Sequence, residues 1–111
     1  MIKLDGKIVH SCGWAGPLLW IYTTDNYSIH FYDAPVFLNR TRVKAPHDVN
    51  LKLAGQRING FEADKNNFSV RFDSGKVLKV GRAEVETARV FKTGARPHWV
   101  YESGAMRRSD A

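Results

Sequence analysis

The sequence predicts a mainly β fold, a compact antiparallel sandwich or small barrel of about seven or eight short strands with room for one short helix. Apolar and polar residues alternate with a period of two over most of the chain, whereas helical periodicity is poor. Gly, Asn and Asp recur as turn residues at intervals of about eight to twelve residues. The 111 residues suffice for one core. We therefore expect one domain over residues 1–101 and a mobile tail over 102–111.

The clearest predicted hairpin runs from Leu18 to Asp33 and turns at Asp25-Asn26. A two-residue loop of this composition tolerates the positive φ angles that a type I′ turn requires. The register that follows pairs Thr24 with Tyr27, Tyr22 with Ile29 and Trp20 with Phe31. So aromatic a face is either core or a dedicated binding surface, and because opposed aromatic and β-branched residues stabilise each other, we expect it to be part of the core.

A three-strand meander is predicted over residues 57–80. Asp73-Ser74-Gly75 is typical of a three-residue loop closed by a left-handed glycine. This loop opposes Val70 to Leu78 and Phe68 to Val80, and it leaves Arg71 and Lys79 on the outward face. Simple alternation would turn Ile58 toward water, so we also predict a β-bulge at Asn59-Gly60 that returns it to the core.

Three further segments complete the predicted elements. Residues 36–44 are expected to be extended, with Arg40, Arg42 and Lys44 at alternate positions along one side. Residues 83–91 fit either a helical stripe or a strand face, and both interpretations stay open. Residues 97–101 are typical of a last strand.

Catalytic and metal-binding motifs are absent from the sequence. Cys12 is the only cysteine, which excludes an internal disulfide and a thiolate zinc cluster. No P-loop, dinucleotide-binding fingerprint, nucleophile elbow or HExxH motif occurs. We therefore expect no enzyme activity, no metal and no cofactor. The alternative of an enzyme or small-ligand site would lie between Cys12, His47 and the aromatic hairpin.

The chain is expected to act in the cytoplasm, away from membranes. Charges occupy the N-terminal residues, where a secretory signal would need an unbroken apolar stretch. The longest apolar-rich run without charge, Trp14 to Tyr22, has about half the length needed to cross a bilayer.

The net charge of +6 is concentrated in two segments. Residues 39–57 carry five Lys or Arg against one acidic residue, and residues 89–108 carry five against one as well. If the two segments lie together in space, they form a positive patch that attracts acidic proteins or nucleic acid.

The leading functional hypothesis is a non-enzymatic domain that binds an acidic partner protein. The meander from Leu53 to Val80 resembles small bacterial β-domains, some of them toxin-immunity-like, and this resemblance implies an inhibitor-like role. Such domains act by occluding another protein through a sheet edge or a charged face. The positive charge favours a partner with an acidic face. The residues expected to bind it are Arg40, Arg42, Lys44, Arg71 and Lys79.

Nucleic-acid binding is the alternative hypothesis. Arg40, Arg42 and Lys44 would form a basic strand, while Trp99, Tyr101 and Tyr32 would supply exposed aromatic rings. Small β-domains hold single strands by combining a cationic groove with stacking side chains.

Overall fold

Two antiparallel sheets make up the protein in a computed structural model that describes residues 2–32, 34–43 and 52–110. Within these ranges the chain forms eleven strands and no helix. The strands are β1 Val9–Ala15, β2 Leu18–Thr23, β3 Tyr27–Phe31, β4 Val36–Leu38, β5 Thr41–Val43, β6 Ile58–Ala63, β7 Asn67–Phe72, β8 Val77–Gly81, β9 Glu86–Lys92, β10 His98–Glu102 and β11 Ala105–Ser109. One sheet has the order β1-β2-β3-β9-β10-β11 and the other β5-β4-β8-β7-β6. The predicted all-β sandwich is confirmed, with more and shorter strands than expected.

The core lies between the two sheets and is centred on Phe68 of β7. Its ring centroid lies 5.9 Å from that of Phe31 on β3 and 5.9 Å from that of Tyr101 on β10, both in the opposite sheet. All three side chains are fully buried. The Tyr101 hydroxyl donates a 2.7 Å hydrogen bond to the backbone oxygen of Asp64, so its polar end is satisfied.

The predicted register of the first hairpin is wrong by one residue. Leu19 pairs with Phe31 and Ile21 with Ile29, because the loop between β2 and β3 has three residues, 24–26, instead of two. Asn26 takes the left-handed conformation with φ 72°. Asn and Asp tolerate this conformation better than most side chains, so Asn26 can do what glycine does in other such loops.

The one-residue shift exchanges the two faces of β2, whereas Ile29 and Phe31 of β3 lie in the core as predicted. Leu19 and Ile21, expected outside, are fully buried in the core with Ile29 and Phe31. Trp20 and Tyr22, expected in the core, lie half-buried on the outer face. The period of two makes this exchange unavoidable once the register slips.

The predicted meander is confirmed in register. Val70 pairs with Leu78 and Arg71 with Val77, and Gly75 closes the three-residue loop with φ 90°. The register shift between Ile58 and Gly60 is the expected bulge, and it leaves Ile58 fully buried.

Three segments differ from expectation or settle an open choice. Residues 36–43 form a hairpin of β4 and β5 that turns at Asn39-Arg40, not one continuous extended strand. Residues 86–92 form strand β9, which settles the helix-or-strand alternative in favour of the strand. The expected mobile tail contains β11, which pairs with β10 over five residue pairs.

Replacement of Phe68 by alanine should lower the free energy of unfolding by about 3–5 kcal/mol, because the cavity opens between both sheets. The measurement is equilibrium unfolding in urea. Phe37→Ala, which removes the same atoms from an exposed position of the same sheet, should cost less than about 1 kcal/mol. Equal losses for the two variants would contradict the described core.

Candidate functional site

Two of the expected binding cations lie in one row on the outer face of the five-stranded sheet. Arg42 on β5 pairs with Phe37 on β4, and Phe37 pairs in turn with Lys79 on β8. Side chains paired across antiparallel strands point to the same face with Cβ atoms about 5 Å apart. We call Arg42, Phe37 and Lys79 the basic row.

The cations of the basic row are available to a partner. Arg42 and Lys79 are exposed, and neither forms an ion pair with any residue that the structure describes. Arg40 lies in the adjacent turn and is likewise exposed, with no ion pair in the described ranges. Three positive charges therefore lie on one side of this sheet without an ion pair among the described residues. The Asp64 carboxylate, whose pKa is lowered first by hydrogen bonds from backbone amides, is near enough to Lys79 for that charge to lower it further.

The other two expected cations contribute less or lie elsewhere. Arg71 points to the same face from β7, but its guanidinium forms an ion pair with the Glu62 carboxylate of β6. The positive charge of Arg71 is therefore largely neutralised by Glu62 within the sheet. Lys44 lies outside the described residues, as does His47.

Phe37 separates the two cations of the basic row. It is 36% exposed, and Val85 is the only other exposed large hydrophobic residue in the described part of the chain. An exposed ring flanked by cations is a feature of binding surfaces, where aromatic and Arg side chains carry much of the binding free energy.

The outer face of the six-stranded sheet carries a second cluster, which includes Trp20 and Tyr22 of the hairpin that the sequence indicated as core or, alternatively, as a binding surface. Its half-buried rings are Trp20, Tyr22, His30, Tyr32, Phe91 and His98, which we call the aromatic face. Trp20 pairs with His30, and His30 with Arg89, so these side chains form a continuous row over β2, β3 and β9. Recognition of the three-residue loop at Asn26 would have revealed this cluster from the sequence.

Two of the three expected exposed aromatics, Trp99 and Tyr101, lie on the core side of the same sheet. Tyr101 is fully buried in the core, so its assignment as a stacking residue is wrong. Trp99 is half-buried and pairs with the buried Val90. Of the three, only Tyr32 belongs to the aromatic face.

Ring contacts order the centre of the aromatic face. Phe91 stacks on His98 with centroids 4.2 Å apart and an interplanar angle of 14°. On its other side Phe91 meets His30 edge to face at 5.0 Å. The His30 Nδ1 lies 3.3 Å from the Tyr32 hydroxyl oxygen, which links the rings to a polar group. These contacts limit side-chain motion on this face.

Arg89 connects the rings to an ion pair. Its Nε and Nη2 donate to the two Glu86 carboxylate oxygens at 2.8 and 2.7 Å, and its Nη1 donates to the His98 Nδ1 at 2.8 Å. A guanidinium can only donate, so Nδ1 is the unprotonated acceptor and neutral His98 carries its proton on Nε2. Burial, with the Arg89 charge beside it, holds the pKa of His98 below its usual value. The same two causes lower the pKa of His30.

The absence of a side chain at Gly13 leaves room for the Trp20 indole on the outer face of the sheet. A Cβ atom at position 13 would lie 2.7 Å from Cζ2 and 3.1 Å from Cε2 of the Trp20 indole. The indole therefore lies directly above the backbone of β1, in space that any larger residue would occupy.

Metal-ligating side chains do not cluster within the described ranges. These ranges contain no group of three or more His, Cys, Asp or Glu side chains that could hold a metal ion. Cys12 is half-buried on β1 and packs against the core. The described ranges contain no helix that is long and apolar enough to cross a membrane.

Acidification from about pH 7 to 5 should lower the free energy of unfolding, because His30 and His98 have folded-state pKa values below the ordinary 6.5. In this window the unfolded chain binds more protons than the folded one, so linkage favours unfolding. Above about pH 7 both histidines are neutral in both states and contribute no slope.

Urea unfolding at several pH values checks this dependence. The double variant His30→Gln/His98→Gln should show a shallower fall with acidification than the wild type. His10→Gln, at an exposed position of β1 outside the Arg89 network, is the control and should retain the fall. An unchanged slope in the double variant would show that the two imidazoles are not the cause.

In comparisons with known proteins, no family model, no curated protein and no solved structure matches this chain.

Proposed function

We propose that the protein is a non-enzymatic binding domain whose basic row receives an acidic surface of a partner protein. The observation that supports this most is the arrangement of Arg42 and Lys79, exposed and without ion pairs among the described residues, on either side of the exposed Phe37. A partner that places carboxylates against the two cations and an apolar side chain against Phe37 would complement all three.

The two kinds of side chain would contribute differently to binding. Exposed cations accelerate association with an acidic surface and select against basic partners, more than they add affinity. Phe37 would supply the desolvated contact at the centre, where binding free energy is concentrated. The sheet face is a better docking surface than its edge, because β5 is three residues long and a charged, short edge strand resists pairing with another strand.

Such a domain would act by covering its partner, as an inhibitor does. The proposed location is the cytoplasm, since the chain has one cysteine, Cys12, and therefore cannot form an internal disulfide. The affinity of such a complex would fall as the ionic strength rises, because salt screens charges that lie near the surface.

Charge reversal tests the proposal with poly-L-glutamate as the acidic polypeptide probe. The double variant Arg42→Glu/Lys79→Glu should weaken binding at about 50 mM salt by more than tenfold, because repulsion replaces attraction. The matched control Lys3→Glu/Lys65→Glu changes the net charge equally at exposed positions outside the basic row. Isothermal titration calorimetry measures both. Equal weakening by the two variants would mean that only net charge matters, and the basic row would lose its assigned role.

Nucleic-acid binding is a second candidate, favoured by one observation: the ring of Phe37 lies between two cations. Bases stack on aromatic side chains while phosphates contact neighbouring Lys and Arg, an arrangement that is tolerant of sequence.

Fluorescence anisotropy with a labelled mixed-sequence single-stranded DNA of about 20 nucleotides separates the two candidates. If nucleic acid is the partner, binding falls steeply with salt, and Phe37→Ala weakens it by about 5- to 150-fold. An absence of binding at low salt excludes this candidate and leaves the acidic-protein proposal standing.

A further inference from the structure

We infer that the aromatic face is a second binding site, and that its ligand is a neutral linear oligosaccharide. This site lies on the six-stranded sheet, whereas the basic row lies on the five-stranded sheet. The inference is independent of the proposed function, because no residue is shared between the two surfaces.

Charge is the first argument for a neutral ligand. The two arginines of this outer face are both neutralised, Arg89 by Glu86 at 2.7 Å and Arg107 by Glu102 at 2.8 Å. His98 accepts a hydrogen bond from Arg89 and is therefore uncharged. The strands of this face therefore carry balanced charges on a chain of net charge +6, and the exposed Arg96, in the loop before β10, is a further cation close to His98. A polyanion would find little attraction here, and a ligand without charge is the better complement.

The rings supply the apolar half of a saccharide site. Trp20, His30 and Arg89 follow one another across three adjacent strands, and strands are spaced by about 4.8 Å. A pyranose ring is about as wide as one such spacing, so a linear chain of sugars can follow the row. Axial C–H groups of pyranoses are weakly positive and are attracted to the negative faces of aromatic rings.

The polar groups supply the other half. Three donors of Arg89 are used by Glu86 and His98, so two of the five guanidinium N–H groups remain for a ligand. Tyr32 offers a hydroxyl, and the Glu86 carboxylate has lone pairs to accept hydrogen bonds. Adjacent planar donors and acceptors match the neighbouring hydroxyl groups of a sugar ring.

Gly13 supports the inference, because it fixes the position of the Trp20 indole in the free protein. The indole of Trp20 occupies space that a Cβ atom at position 13 would need, at 2.7 Å from Cζ2. Glycine inside a strand costs stability and often marks a close approach. Here the close approach is that of the Trp20 indole, which lies over the backbone of β1 instead of standing away from the sheet.

The test is a titration of the full chain with four neutral hexasaccharides, cellohexaose, maltohexaose, mannohexaose and chitohexaose, followed by ¹H–¹⁵N NMR. At least one should shift the Trp20 indole signal together with amides of β2, β3 and β9. Trp20→Ala and Tyr32→Ala should each weaken binding of that sugar by at least about tenfold. Phe37→Ala, on the opposite sheet, should leave it unchanged. Poly-L-glutamate binding by Trp20→Ala should also be unchanged, so the two sites can fail separately.

Two results would overturn the inference. One is that none of the four sugars, each at about 10 mM, shifts a signal of the aromatic face. The dissociation constant would then exceed about 10 mM, which is too weak for useful recognition. The other is binding that survives in Tyr32→Ala and in a folded Trp20→Ala variant. If Trp20→Ala does not fold, Tyr32→Ala decides the matter, because the Tyr32 ring is half-buried and outside the core.

Discussion

The length of the loop between β2 and β3 determines what the six-stranded sheet presents to solvent. Thr23 Oγ1 accepts a 2.9 Å hydrogen bond from the Tyr27 amide and donates a 2.8 Å bond to Asp25, and Asn26 closes the loop in the left-handed region. With three loop residues, Leu19 and Ile21 fill the core. With two, Trp20 and Tyr22 would fill it instead. The aromatic face exists because the longer loop is the one that forms.

The register of the meander was predictable because a glycine marks its loop, whereas that of the first hairpin was mispredicted where an asparagine takes the place of the glycine. Gly75 reveals a three-residue loop, and the register of β7 and β8 follows from it. Asn26 occupies the equivalent position after β2, but Asp-Asn also suits a two-residue turn, and local composition does not separate them. The deciding factor is tertiary: only the longer loop places Ile21 and Ile29 together against the opposite sheet. The expected cations could likewise be listed from the sequence, but which of them is held in an ion pair, as Arg71 is by Glu62, depends on side-chain geometry.

The two outer faces differ in how their charges are used. On the five-stranded sheet, Arg42 and Lys79 have no ion pair within the described ranges, so their potential extends into solvent. On the six-stranded sheet, Arg89 is held by Glu86 and His98, and its role is to orient neighbouring groups. A sandwich can support both surfaces, because alternate residues of each strand serve the shared core and leave the others for binding.

Cross-strand proton contacts in the first hairpin test this account most directly, because the composition of the aromatic face depends on its register. In a nuclear Overhauser spectrum of the folded chain, backbone contacts between Leu19 and Phe31 and between Ile21 and Ile29 are expected. Contacts that pair Trp20 with Phe31 and Tyr22 with Ile29 would contradict it, since they would place Trp20 and Tyr22 in the core and remove them from the aromatic face.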